Sequence, residues 1–148
     1  MAVIEGFNIP EELFYWLPGP RKGHTWAQIL PDGRVKVGLD DVGQAMAGKL
    51  IFFRPKPKGT AVEQGKPFGT IETAKWVGPL ESPVSGTIAE INDAARKKPS
   101  LINSDPYGEG WLVIIQPNKL EEEKQKLLTG SAAVEAEKQE IEREKLKK

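Results

Sequence analysis

The 15 glycines and 12 prolines of this 148-residue chain constrain its fold more than any other feature. They recur at short intervals from Pro10 to Pro117, and no proline follows. Both residues break regular structure, so a helix of ordinary length does not fit between most of them. Short apolar or alternating runs do fit: Trp26–Leu30, Arg34–Leu39, Leu50–Arg54, Phe68–Lys75, Gly86–Ile91 and Trp111–Gln116. Many short strands between frequent turns predict a mainly β sandwich or barrel. Pro31-Asp32-Gly33 separates two runs at hairpin spacing, and Pro83-Val84-Ser85-Gly86 opens another strand. One short helix is expected within this block. Asp40 or Asp41 caps it, Val42, Ala45 and Met46 form its apolar stripe, and Gly48 ends it.

Past Pro117 the character changes, which sets a domain over residues 1–118 apart from a charged helical tail over 119–148. Leu120, Lys124, Leu127 and Leu128 give a first tail helix a narrow edge. Ser131–Lys148 is rich in Ala, Glu and Lys, with Glu135/Lys138 and Glu142/Lys145 at i, i+3 and Glu144/Lys148 at i, i+4. Only Val134, Ile141 and Leu146 are available to pack. The expectation is a frayed surface helix, with a partner-docking helix as the alternative.

Composition narrows the function. Positive and negative side chains number 21 each, thirteen of each sign up to Asn118 and eight of each beyond. Without a basic field, nucleic acid is not an expected partner. No apolar run approaches the ~20 residues of a membrane span, and the first residues carry no signal-peptide pattern, so a cytoplasmic protein is expected. The chain has no cysteine and a single histidine, His24. Disulfides, thiolate metal sites, a thiol nucleophile and a multi-histidine metal centre are thereby excluded, and no metal site is expected. No catalytic triad, phosphate loop or paired-carboxylate site is visible either, so the chain is not expected to be an enzyme. Any redox or acyl chemistry requires a prosthetic group.

The segment from Gly69 to Gly86 concentrates the remaining interest. Thr70, Ile71 and Thr73 favour a strand, and Val77 and Leu80 a return strand, with Gly78-Pro79 limiting the ladder between them. Lys75 falls at the exposed junction.

Glu72-x-x-Lys75 followed by Ser82-Pro83-Val84-Ser85-Gly86 resembles the lipoylation site of the glycine cleavage H-protein family. A second block also matches, through Asn92, Pro99, Leu101–Gly108, Gly110 and Trp111. His24-x-Trp26, Val37-Gly38-Leu39 and Phe68-Gly69 fall in register upstream, so the resemblance spans roughly residues 23 to 118. It implies a flattened lipoyl/biotinyl-type barrel-sandwich, with Lys75 at a hairpin tip and lipoic acid attached to it covalently. It also implies a monomeric carrier served by a lipoate–protein ligase and reoxidised by dihydrolipoamide dehydrogenase. Biotin carriers share the barrel but flank their lysine with methionines, whereas here Ala74 and Trp76 flank Lys75.

Two positions depart from the family pattern. Thr25 stands where glycine-cleavage members usually place a Glu, and Pro79 where they usually place an Asp four residues past the lysine. In the family these carboxylates help hold a cationic aminomethyl group on the parked arm. The arm-docking cleft expected here contains His24, Thr25, Trp26, Trp76 and Pro79, and would suit a neutral or anionic sulfur adduct. Basic Arg54-Pro-Lys56-Pro-Lys58 replaces a commonly more acidic stretch. Together these departures resemble lipoate-binding paralogues that serve heterodisulfide-reductase-like sulfur-oxidising complexes. The alternative is a glycine-cleavage carrier working with glycine decarboxylase and aminomethyltransferase; an unmodified interaction module is a further alternative.

Overall fold

In a computed structural model describing residues 1–148, the punctuated block folds into short strands at the expected places. β1 (Ala2–Ile4), β2 (Phe7–Ile9) and β3 (Phe14–Trp16) precede the first expected pair, β4 (Thr25–Ile29) and β5 (Val35–Leu39). Helix α1 (Asp41–Ala47) follows, then β6 (Phe52–Pro55), β7 (Ala61–Val62), β8 (Pro67–Glu72), β9 (Val77–Glu81) and β10 (Gly86–Ile91). Two short helices, α2 (Asp93–Lys97) and α3 (Ser100–Ser104), lead to β11 (Val113–Pro117). Beyond it come α4 (Leu120–Glu123), β12 (Leu128–Thr129) and α5 (Gly130–Arg143).

β12-β3-β4-β5-β11-β10-β7 form a seven-stranded sheet, β6-β8-β9 a three-stranded one, and β1-β2 a separate ribbon. The architecture is mainly β as expected, but neither large sheet closes, so it is an open two-sheet sandwich rather than a barrel. Alternation places Val35, Val37 and Leu39 of β5 in one core cluster with Phe53, Phe68, Ile71 and Leu80 of the smaller sheet. Each such side chain contributes roughly 1.5–3 kcal/mol by leaving water. Trp26 belongs to a second cluster with Ile9, Leu13 and Tyr15. Its ring lies over Gly38, where a Cβ would come within 2.4 Å of the indole. That contact explains why a glycine interrupts the apolar run of β5.

Helix α1 forms as read, with Asp40 Oδ1 accepting from the Gly43 N–H at 2.7 Å and Gly48 at its C-cap. The ladder between β8 and β9 corrects one expectation: Thr70 pairs with Pro79, Ile71 with Gly78 and Glu72 with Val77. Pro79 is tolerated because β9 is an edge strand and its missing N–H interrupts no further pairing. A second correction concerns Trp111, read as the first residue of the run Trp111–Gln116. It is half-buried, precedes β11 and lies beneath the Lys36 ammonium, 5.6 Å from its ring centre.

The largest correction is the segment past Asn118. Its first part is not one helix: α4 gives way to a 3-10 turn and then to β12, whose Leu128 and Thr129 pair with Tyr15 and Phe14. Helix α5 is no frayed surface element. Ala133, Glu137, Glu140 and Ile141 are buried, an i, i+4, i+7, i+8 stripe in which two members are carboxylates. The expected pairs give way to others: Arg143–Glu140 along α5, and Arg21–Glu144 and Lys148–Asp41 to the rest of the protein. Residues 119–148 complete the second and third core clusters. No helix is long and apolar enough to cross a membrane.

Candidate functional site

Lys75 sits at the tip of the β8–β9 hairpin. The last ladder pair is Glu72↔Val77, and the Thr73 N–H donates to the Trp76 carbonyl at 2.9 Å. This leaves Ala74 and Lys75 as the two turning residues. Thr73 Oγ1 also accepts from the Lys75 and Trp76 backbone N–H groups, at 3.2 and 3.3 Å. The β-branched residue read as a strand former thus braces the turn from within. Lys75 is exposed, while Glu72 is half-buried and lies 3.8 Å from Arg54 Nε.

Apolar side chains surround the tip. Trp76, Phe52 and Ile51 are 41–44% exposed and Val77 61%, Phe52 and Val77 opening strands of the small sheet and Ile51 and Trp76 just before them. The Trp76 ring folds over Gly78, where a Cβ would lie 1.9 Å from the ring, so glycine at that position lets the indole turn toward the sheet.

Beside the hairpin lies a cleft of about 470 Å³. Ile71, Trp76, Pro79, Leu39 and Met46 give it an apolar wall, and Arg21, Lys22, His24 and Glu81 its polar groups. Of the expected arm-docking residues it contains His24, Trp76 and Pro79 but neither Thr25 nor Trp26. Both belong to β4 and are buried. Thr25 Oγ1 donates to the Glu81 carbonyl at 2.9 Å, and Trp26 Nε1 donates to the Pro106 carbonyl at 3.1 Å. Their roles are architectural.

Glu81 was not expected in the cleft. Val77, Pro79 and Glu81 share one face of β9, so the period-2 rule that places Pro79 in the cleft places Glu81 there too. Its Oε1 accepts from Trp16 Nε1 at 2.8 Å. The cleft therefore has a carboxylate, two residues past Pro79.

The Ser82-Pro83-Val84-Ser85-Gly86 stretch lies at the opposite end of β9 from Lys75. Ser82 Oγ donates to the Val84 carbonyl at 2.6 Å, and Pro83 is buried. A Cβ on Gly86 would fall 2.1 Å from the Gln116 carbonyl oxygen. Glu123 accepts from the Ser85 N–H at 2.7 Å. These residues shape the turn into β10 rather than the lysine's surroundings.

Behind the cleft His24 is almost fully buried, with a left-handed backbone (φ 62°). Nδ1 lies 3.2 Å from Asp40 Oδ2 and 3.0 Å from Glu137 Oε1, and Nε2 lies 2.9 Å from Glu140 Oε1. Burial pushes the imidazole pKa down, but the charge of Asp40, hydrogen bonds to Asp40 and Glu140, and the close Glu137 carboxylate prevail and hold it well above the histidine range. Glu137 is raised well above the carboxylate range, by burial first and then by Asp40. Glu140 is lowered to about 2, chiefly by its hydrogen bond to His24. Sequence reading missed both glutamates because it placed them on a solvated helix.

The family model for glycine cleavage H-protein matches residues 20–140. A probable glycine cleavage system H protein 2 from Saccharolobus solfataricus is 44% identical over 146 residues, 99% of this chain and 97% of that protein. Glycine cleavage system H protein 2 from Aquifex aeolicus is 44% identical over 139 residues, 94% of this chain and 84% of that one. The crystal structure of a glycine cleavage system H protein from Mycobacterium marinum superposes with a TM-score of 0.70 at 33% identity, covering 93% of this chain and 100% of that one. The lysine-tipped hairpin, the cleft at its foot and these matches together place the chain in the glycine cleavage H-protein family, whose members carry a covalently attached lipoate.

Proposed function

We propose that this chain is a lipoyl carrier of the glycine-cleavage type, with Lys75 as the residue to which lipoate is joined. The observation that carries the reading is an exposed lysine on a braced two-residue turn with an apolar cleft at its foot. The cleft fits the group: Ile71, Trp76, Pro79 and Leu39 offer an apolar wall to a hydrocarbon arm, and Glu81 a polar end. When attached, lipoate supplies a disulfide–dithiol couple that moves two electrons and holds a transferable group. The chain's own work is positional, and it acts as carrier rather than enzyme. Thr73 fixes the turn so that the amine stands clear for a lipoate–protein ligase, and the wall beneath excludes water. A mobile arm on a fixed tip serves several partners in turn at high effective concentration.

An aminomethyl cargo is cationic near neutral pH, and Glu81 supplies the carboxylate that Thr25 and Pro79 do not. This supports glycine decarboxylase, aminomethyltransferase and dihydrolipoamide dehydrogenase as partners. A second reading rests on Arg21 and Lys22, which line the same cleft and favour an anionic sulfur adduct. Under it the partners are heterodisulfide-reductase-like subunits.

Intact mass and peptide mapping of protein from its native host test the attachment. One lipoyl adduct is expected on Lys75, absent in Lys75→Arg; an adduct on another lysine overturns the assignment. Glycine-dependent CO₂ release with purified glycine decarboxylase tests the cargo. Turnover matching an ordinary family member at equal lipoylation supports the main reading, and background turnover the sulfur reading.

A further inference from the structure

Asp40 and Glu137 both present a carboxylate to the same nitrogen of the only histidine, inside a region closed to solvent. Nε2 lies 2.9 Å from Glu140 Oε1, a carboxylate already paired with Arg143 and the Arg21 backbone N–H. With a proton on Nε2, donated to Glu140, the lone pair of Nδ1 points toward Asp40 and Glu137. Two carboxylates and a lone pair repel one another unless something positive stands between them. A single N–H on Nδ1 serves only one acceptor well, and Asp40 is the aligned one. Both carboxylate oxygens of Glu137 are fully buried without a hydrogen-bond partner, although Oε1 is 3.0 Å from Nδ1.

Nearby donors are committed elsewhere. Tyr15 donates its hydroxyl to the Pro10 carbonyl at 2.6 Å, and Tyr107 donates to the Asn8 carbonyl at 2.7 Å. Lys148 reaches Asp41 instead. An orphaned carboxylate aimed at a shared focus points to a ligand.

We propose that His24 Nδ1, Asp40 and Glu137 form a buried divalent-cation site suited to zinc, with Glu140 orienting the imidazole through Nε2. The ligand atoms lie within 4.8 Å of one another, and the two nitrogen–oxygen separations are 3.0 and 3.2 Å. Two ligand atoms about 2 Å from a tetrahedral zinc stand roughly 3.3 Å apart, so both nitrogen–oxygen separations already fit, and the two carboxylates, no more than 4.8 Å apart, need only close on the ion. A carboxylate on the far nitrogen of a ligating histidine is the usual means of fixing its tautomer, and Glu140 stands in that position. The absence of cysteine and of further histidines excludes the common zinc sets but leaves a one-histidine, carboxylate set open. Of the three residues only His24 borders open space, lining both the cleft and a smaller cavity with Leu17, Pro20, Gln139 and Arg143, so an ion enters by local opening beside the imidazole. The ion would join β4, α1 and α5 at one point.

Full-length protein, treated with chelator and then titrated with zinc chloride, provides the test by calorimetry and by NMR of the imidazole. One zinc per chain is expected, with the single set of histidine ring resonances shifting until one equivalent is bound. Asp40→Asn preserves the helix cap, because asparagine caps as aspartate does. Glu137→Gln preserves volume. Each should weaken zinc binding by roughly 100-fold or more, since losing an atom that touches the ion costs at least as much as losing one that only orients a ligand. Ring resonances unmoved by one equivalent of zinc overturn the site. Undiminished affinity in both variants overturns it as well, assigning the ion to surface carboxylates and the cluster to a shared proton. If a variant does not fold, the wild-type ring titration decides alone.

Discussion

At Glu81 one residue answers three demands: its carboxylate accepts from Trp16, its carbonyl accepts from Thr25, and its side chain lines the cleft. Glu81→Gln keeps an acceptor for Trp16 and removes only the charge. A charge-assisted contact contributes roughly 1.5–3 kcal/mol, so an aminomethyl cargo should escape from the parked arm about ten-fold faster or more. Spontaneous loss of the cargo from the loaded carrier measures this, and an unchanged rate would remove Glu81 from cargo binding. Trp111 supports a second prediction at this scale. As a half-buried ring under Lys36 it should cost about 1–3 kcal/mol on replacement by Ala, read by urea denaturation. A cost in the 3–5 kcal/mol range of fully buried rings would contradict the exposure described. The place of Lys75 at an exposed hairpin tip was legible because the residues that make the turn are local. Thr25 was misread because a matching position in sequence does not say which face of β4 the side chain takes.

Elements bounded by turns were the easiest to read. Pro31-Asp32-Gly33 lies between β4 and β5, which pair from Thr25↔Leu39 to Ile29↔Val35, and Asp40 caps α1. The three N-terminal strands and β12, each two or three residues long, were not foreseen because such runs carry no periodicity to detect. Helix α5 failed for another reason. Its buried stripe contains Glu137 and Glu140, which a rule that buries only apolar side chains scores as solvent-facing. The prediction at this scale reverses the tail expectation. Truncation after Asn118 removes Ile141, β12 and two of the three carboxylates around His24, Glu137 and Glu140. Loss of the buried Ile141 alone is comparable to an Ile→Ala change, about 2–5 kcal/mol. Removing the segment should lower Tm by at least roughly 6–12 °C. A truncated chain melting with the full-length protein would restore 119–148 as an appendage.

For the whole molecule, the strand-rich class followed from the glycines and prolines, but the way the two sheets meet did not. No hydrogen-bonded ladder joins the seven-stranded sheet to the three-stranded one. Their union rests on the shared core and, at the cleft, on β4 and β3 reaching Glu81 at the end of β9: Thr25 to its carbonyl, Trp16 to its carboxylate. Such long-range contacts, 56 and 65 residues apart in sequence, leave no local trace to read. They lead to a prediction about the sandwich as a unit. Thr25→Val keeps shape but leaves the Glu81 carbonyl without its donor, which should cost about 1–3 kcal/mol. Trp16→Phe should cost less, because the Glu81 carboxylate is partly exposed and water can replace the indole N–H. Both bonds end on one residue, so the second loss should cost less once the first has freed Glu81, with a coupling of roughly 0.5–3 kcal/mol. Urea denaturation of the two single variants and the double variant completes the cycle. Lipoylation of Lys75 should persist in all three, because the bracing of its turn by Thr73 lies within the hairpin. Strict additivity would mean that the sheets are held by their apolar core alone and that Glu81 does not join them.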